Sequence, residues 1–124
     1  MEIRESESEI ELSGTPSELR ALGRAIAALG PGIRHGFPAD ASVDPAPYSR
    51  ALNSLEAVAS GGPTRVSVDG DVLLVAGTPE SLGCFASFLT FSDADRPGTH
   101  HHHEWWEGNK SIAENSRPLV VSLS

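Results

Sequence analysis

The chain has 124 residues, of which 39% are hydrophobic and 21% charged, a composition typical of one globular domain spanning residues 1–124. Its formal net charge of −8 opposes binding to the phosphate backbone of nucleic acids and suits a basic protein partner. No apolar stretch approaches the roughly 20 residues of a membrane-spanning helix, so no membrane partner is expected.

The N-terminal part predicts a strand followed by a helix. Residues 2–12 alternate in polarity, strongest near their end, as in a strand with one wet face. Thr15 is a good N-cap, Pro16 suits the first helical position, and Glu18 stands where a capping box needs its carboxylate. Gly30 and Pro31 end the helix. Its apolar stripe consists of Leu19, Leu22, Ile26 and Leu29.

The same pattern recurs 63 residues later, where Gly77-Thr78-Pro79 repeats Gly14-Thr15-Pro16. The third helical position is now Ser81, so the full capping box is absent. Two similar strand-to-helix units are predicted, and we interpret the repeat as convergence, since Thr-Pro is an efficient helix start. Cys84 is expected to be a small buried side chain. The second apolar stripe consists of Leu82, Phe85, Ala86 and Leu89, widened by Phe88 and Phe91.

The remaining segments predict a loop and several strands. Residues 30–47, rich in proline and glycine, indicate a long loop, and residues 48–59 fit either a helix or a strand. Residues 64–75 predict a hairpin around Asp69-Gly70, and residues 118–123 predict a short strand. The predicted fold is α+β, a mainly antiparallel sheet of four to six strands with two helices packed on one face.

The segment His100–His103 offers the main candidate chemistry. If residues 99–106 form a strand, His100, His102 and Glu104 share one face, and two imidazoles with one carboxylate are a known metal-ligand set. Three ligands on one straight strand rarely close around an ion unaided, and the only other histidine, His35, lies in the predicted loop. The leading interpretation therefore has no metal and no cofactor. The alternative is a small metal-binding protein or metal-dependent enzyme that uses this strand.

The segment offers little support for other catalysis. The chain has no Gly-x-Ser-x-Gly elbow, no phosphate-binding glycine loop and no HExxH helix, so no catalytic residue is assigned and no enzyme is expected. On a strand, Trp105 and Trp106 would face opposite sides, and we expect Trp105 inward and Trp106 outward. An exposed tryptophan beside histidines and acids is a reasonable hot spot for protein recognition.

The ordering of these residues resembles the Imm32-type immunity proteins of bacterial polymorphic toxin systems. The likeness covers residues 64–121, about half of the chain, and depends on an ordered set of residues, since no single motif is diagnostic. The imidazoles of His101 and His103 depart from the apolar residues usual in a half-buried strand, and each needs a hydrogen-bond partner or water. The set is His100-x-His102-x-Glu104-Trp105-Trp106, Gly108, Ile112, Ser116-x-Pro118-Leu119-Val120-Val121 and, upstream, Val66-Ser67-Val68-Asp69-Gly70-Asp71 with Leu74 and Gly77.

The resemblance implies an α+β fold, with a strand over residues 51–59, and a protein that neutralises a co-expressed toxin by occluding it. Many such toxins act on nucleic acid and are basic, which an acidic inhibitor complements. The candidate partner-binding residues are His100, His102, Glu104 and Trp106. The acidic first residues are unlike a secretory signal, and the lone Cys84 fits a reducing compartment, so a cytoplasmic location is expected.

Overall fold

The computed structural model describes residues 1–124 and contains two helices and nine strands. The helices are α1 (Pro16–Ala27) and α2 (Pro79–Ser87). The strands are β1 (Glu2–Glu5), β2 (Ile10–Gly14), β3 (Arg34–Pro38), β4 (Arg50–Ala51), β5 (Ser54–Ala59), β6 (Arg65–Asp69), β7 (Val72–Gly77), β8 (His100–His103) and β9 (Leu119–Leu123).

The strands form two sheets, one with the order β4-β1-β2-β9-β8 and the other with the order β3-β5-β7-β6. The predicted α+β class is confirmed. The structure differs in having nine strands in two sheets rather than four to six in one. Each sheet is also mixed, because β2 pairs with β9 and β5 with β7 in parallel, while all other pairs are antiparallel. β2 and β9 are far apart in sequence, and β5 and β7 are separated by β6, so local patterning could not reveal either parallel pair.

The first helix forms as its sequence predicts. The Glu18 N–H donates to Thr15 Oγ1 over 3.1 Å, and the Thr15 N–H donates to Glu18 Oε1 over 3.0 Å, which completes the capping box. Leu19, Leu22 and Ile26 are buried along one stripe. The capping residues therefore set where α1 begins, and the apolar stripe sets which side faces the core.

The second helix begins in the same way, since the Ser81 N–H donates to Thr78 Oγ1 over 3.1 Å. Leu82 and Phe85 are fully buried. The prediction that Cys84 is buried was wrong, because its side chain is exposed. Two residues of helix rotate a side chain by roughly 200°, so Cys84 falls on the side opposite Leu82.

The repeated Gly-Thr-Pro motif marks a repeat of the whole fold. The hairpin β1-β2 and the hairpin β6-β7 share one register, with the equivalent pairs Ile3–Leu12 and Val66–Val75 lying 63 residues apart. After each hairpin the chain runs through a helix and enters the other sheet, as β3 or as β8. The sheet orders β1-β2-β9-β8 and β6-β7-β5-β3 are therefore equivalent, and only β4 has no counterpart.

Other predicted segments differ in detail from the structure. Residues 2–12 form the hairpin β1-β2 rather than one strand, and the predicted loop 30–47 contains β3. β3 was missed because its exposed sequence, RHGFP, does not alternate between polar and apolar residues. The strand expected over residues 51–59 is present as β5, and the hairpin over residues 64–75 is present as β6-β7, with a φ of 60° at Gly70.

One core joins all of these elements. A cluster of 21 buried hydrophobic residues draws on both sheets and both helices. The helices approach closely at Gly23, where an added Cβ would lie 3.3 Å from the Ala86 carbonyl oxygen and from Leu89 Cβ. Because both sheets share this core, each has an outer face that is turned away from it. Neither α1 nor α2 has the length and apolar character that a membrane crossing requires.

The repeat provides a matched test of packing at Gly77 and its equivalent, Gly14. A Cβ at Gly77 would lie 2.8 Å from Thr64 Oγ1, 2.9 Å from Thr64 Cα and 2.5 Å from Ser81 Oγ, whereas at Gly14 the nearest atoms lie at 3.5 Å. We expect Gly77→Ala to lower the free energy of unfolding by about 1–3 kcal/mol, the usual cost of overpacking, and Gly14→Ala to change it far less. Urea denaturation of both variants measures this, and equal losses would contradict the packing described.

Candidate functional site

The inward face of β8 is fixed by aromatic contacts. His101 stacks on Phe91 with ring centres 4.4 Å apart, and its Nδ1 lies 2.9 Å from the Phe88 carbonyl oxygen. Because a carbonyl only accepts, this Nδ1 carries the proton. The partner that an inward imidazole needs is thus present at His101, and β8 is anchored to the end of α2.

His103 is buried without such a partner. Its residue is only 1% exposed, its ring meets Phe85 and Phe88 edge-on with centres 5.0 and 4.9 Å apart, and its Nδ1 has no hydrogen-bond partner. Burial disfavours the charged imidazolium and lowers the pKa of His103 to about 4. At neutral pH His103 is therefore an uncharged part of the core.

His100 and His102 lie on the opposite, outward face of the same strand, with ring centres 5.0 Å apart. The Nδ1 of His100 lies 3.0 Å from the Gly98 carbonyl oxygen. This nitrogen must donate, which leaves the lone pair of His100 on Nε2. The pair combines two exposed imidazoles, one of which has its tautomer set by the backbone.

These two histidines border an open groove of about 700 Å³ on the outer face of the five-stranded sheet. The groove runs from β1 and β2 across β9 to β8, and the segment around Tyr48 also lines it. The charged residues of its lining are Glu2, Arg4, Glu9 and Glu11. We call this surface the acidic groove.

Carboxylates outnumber cations in the acidic groove by three to one. Arg4 forms ion pairs with Glu2 at 2.9 Å and with Glu11 at 3.5 Å, so one guanidinium serves two carboxylates. The Tyr48 hydroxyl donates to Glu9 over 2.8 Å, and burial, followed by this hydrogen bond, raises the pKa of Tyr48 above its usual value. Tyr48 therefore stays a neutral donor, and the groove is negatively charged.

Glu104 and both tryptophans lie outside the acidic groove, because β8 ends at His103 and the alternation does not continue. Trp105 is 36% and Trp106 61% exposed, so the expectation that Trp105 faces inward was wrong. Trp106 lines a separate cavity of about 380 Å³ with Phe88 and His103. The four predicted partner-binding residues therefore do not form one patch.

The metal-ligand set of the alternative interpretation, His100, His102 and Glu104, is not assembled. The structure holds no group of three or more histidine, cysteine, aspartate or glutamate side chains that could bind a metal ion. His100 and His102 are together, but Glu104 lies past the end of the strand, and His35 lies on β3 in the other sheet. A single chain thus provides two imidazoles at this position and no third ligand.

The glutamates of the acidic groove were not among the residues predicted from the sequence. Their signal was present, since Glu2 and Arg4 alternate along β1, as do Glu9 and Glu11 leading into β2. The alternation was interpreted as an ordinary wet face of one strand. Only the pairing of β2 with β9 brings these residues onto one surface with His100.

No protein-family model matches this chain, no curated protein is significantly similar to it, and no solved structure matches it.

Burial of His103 predicts a pH dependence of stability. A histidine that titrates near 6.5 when unfolded and near 4 when folded binds more protons in the unfolded state between these values, so stability falls as pH falls. Between pH 7 and pH 5 the expected loss is about 2 kcal/mol. His103→Phe should remove this part of the loss, because phenylalanine does not titrate. Phenylalanine is chosen because the equivalent position in the other sheet is Phe37. Urea denaturation at both pH values measures it, and an unchanged pH dependence in the variant would contradict the assignment.

Proposed function

We propose that this protein is an immunity protein that binds and occludes a cognate basic toxin, without turnover. The observation that carries the proposal is the acidic groove, a concave surface with three carboxylates against one guanidinium. Its volume is sufficient to hold the basic side chains of a protruding segment, and the sheet around it would cover the toxin surface. An acidic surface of this kind does not suit nucleic acid, whose phosphates it repels.

The internal repeat supports a role for the acidic groove beyond folding. The positions equivalent to Glu9 and Glu11 in the other sheet are Val72 and Leu74, which are half-buried apolar residues. The same pairing scheme is therefore compatible with uncharged residues at these positions. Arg4 and Tyr48 leave a net negative charge on this surface, and we attribute the carboxylates that the equivalent sheet lacks to a basic partner that neutralises them.

The net charge of the whole chain also favours binding to a basic partner. A net charge of −8 accelerates the encounter with a basic partner and orients it, while the acidic groove provides complementarity at contact. In this proposal the protein works in the cytoplasm, where its exposed and unpaired Cys84 would stay reduced.

The metal-binding alternative is favoured by one observation, the His100–His102 pair with ring centres 5.0 Å apart on one exposed face. It requires ligands from outside the chain, because no third ligand is assembled there.

Removing charge from the acidic groove should slow association with the toxin encoded beside this gene. We expect the double variant Glu2→Gln, Glu11→Gln to lower the association rate constant by about tenfold at low salt, with convergence on the parent rate at high salt. Stopped-flow or surface-based binding measurements over a range of ionic strengths test this.

The matched control is Glu80→Gln with Glu114→Gln, which removes the same charge from exposed positions outside the acidic groove. This control should slow association far less. Equal slowing by both double variants would mean that net charge alone sets the association rate, and it would contradict the proposed role of the acidic groove.

Trp106 tests a second contact, since it is 61% exposed and large enough to anchor a partner. We expect Trp106→Ala to weaken toxin binding by about 2 kcal/mol, mainly through a faster dissociation rate, with the melting temperature nearly unchanged. Ile33→Ala is the control, because Ile33 is another large hydrophobic residue and is 53% exposed. If Trp106→Ala binds the toxin as tightly as the parent chain does, Trp106 lies outside the interface.

A further inference from the structure

The direction of the backbone groups along β9 can be read from two hydrogen bonds. The Leu123 N–H donates to the Thr99 carbonyl over 2.9 Å, toward β8, and the Ser124 N–H donates to the Gly14 carbonyl over 3.0 Å, toward β2. Backbone groups point alternately to the two sides of a strand. The odd-numbered residues of β9 therefore bond to β8, and the even-numbered ones face β2.

This alternation leaves hydrogen-bonding groups of β8 without a neighbour. His101 and His103 pair with the odd-numbered Val121 and Leu119, so their N–H and C=O groups face β9. The N–H and C=O groups of His100 and His102 consequently point away from the sheet. β8 is the outermost strand, so these four groups are available to another strand.

Of the other three sheet edges, one is covered, one is short and one ends in proline. The edge of β6 is covered by the segment at 116–117, since the Val66 N–H donates to Ser116 Oγ and the Arg117 N–H donates to the Val66 carbonyl, both over 2.8 Å. β4 has only two residues. β3, the equivalent of β8, is a second exposed edge of five residues, but it ends at Pro38, which has no N–H to offer. β8 is thus the open edge that is free of proline.

The side chains of His100 and His102 have two features in common with zinc-binding histidines. Metal-binding histidines usually donate their second ring nitrogen to a carbonyl or carboxylate, and His100 Nδ1 makes such a bond to Gly98. Imidazoles that share a tetrahedral zinc ion at Zn–N distances of about 2.0–2.1 Å have ring centres roughly 5 Å apart. The observed separation is 5.0 Å.

We propose that two copies of this chain pair antiparallel through β8 and bind one zinc ion between them with four imidazoles. In this pairing His100 of each copy lies opposite His102 of the other, so the outward backbone groups satisfy one another. The Cα atoms would be about 5.5 Å apart across the pair and about 6.6 Å apart along each strand. All four rings lie on the same face, and the second copy provides the two ligands that one chain lacks.

The fold does not require histidine at these positions. By sheet register the counterparts of His100 and His102 on β3 are Arg34 and Gly36, which cannot form such a site. The pair also borders the acidic groove, whose carboxylates favour the approach of a cation. Zinc-dependent pairing does not require toxin binding, since the zinc site is built from β8 and leaves the glutamates in the acidic groove of each copy free.

Titration of tag-free protein with zinc tests the proposal. Zinc should convert monomer to dimer in sedimentation velocity, with one zinc per two chains, and EDTA should reverse the change. His100→Ala and His102→Ala should each weaken zinc-dependent dimerisation by tenfold or more. Removing only a hydrogen-bond partner of a metal ligand already costs roughly 10–100-fold in metal affinity, so removing a ligand should cost at least as much. His35→Ala is the control, because His35 lies on β3, and it should dimerise like the parent chain.

Hydrogen exchange provides an independent measurement of the strand pairing. The amides of His100 and His102 should exchange rapidly without zinc and become protected when zinc is added, whereas those of His101 and His103 are protected in both states. Zinc binding at one ion per chain without dimerisation would overturn the proposal. Zinc-induced dimerisation that survives in the His100→Ala, His102→Ala double variant would overturn it as well.

Discussion

The parallel pairing of β2 with β9 is the interaction on which the rest of the five-stranded sheet depends. β9 lies between the N-terminal strands and β8, and its Leu119, Val121 and Leu123 are buried in the shared core. Without this strand, the glutamates of β1 and β2 and the histidines of β8 would have no common surface. A contact between the two ends of the chain therefore creates the acidic groove.

Successive side chains of β8 point inward and outward in turn, so its four histidines have two different roles. His101 and His103 are held by the phenylalanines of α2 and its C-terminal extension, with one imidazole hydrogen-bonded and the other kept neutral by burial. That anchoring fixes the strand, and so directs His100 and His102 outward with their free backbone groups. Burying the unpaired Nδ1 of His103 costs free energy. The same inward orientation of His103 leaves its neighbours in the strand pointing outward.

Local features were predictable from the sequence, and long-range ones were not. The capping box at Thr15, the stripe of α1 and the Asp69-Gly70 turn depend on residues close in the chain, and each is present. The end of β8 at His103 was not predictable, because residues 100–106 contain no glycine or proline that would mark the end of a strand. The error at Trp105 followed directly from extending the two-residue period of a strand past His103.

The candidate site was predicted only in part, for a related reason. His100 and His102 were identified because they are unusual residues, whereas the glutamates of the acidic groove looked like ordinary surface residues. Their common location depends on the strand order β1-β2-β9-β8, which contains a parallel pair between residues more than 100 positions apart. No periodicity within a strand carries that information.

The two halves of the internal repeat differ in some features and share others, and the shared ones are those that folding requires. Equivalent positions share the Thr-Pro helix start, the buried stripes and the hairpin register, so these features belong to folding. The two outer faces differ, since one carries Glu9, Glu11 and paired histidines where the other carries Val72, Leu74, Arg34 and Gly36. Arg4 pairs with two carboxylates of the acidic groove and Tyr48 with the third, which leaves an excess of negative charge that the equivalent face lacks. Because one sheet forms without this excess, its presence in the other is consistent with the proposed binding surface.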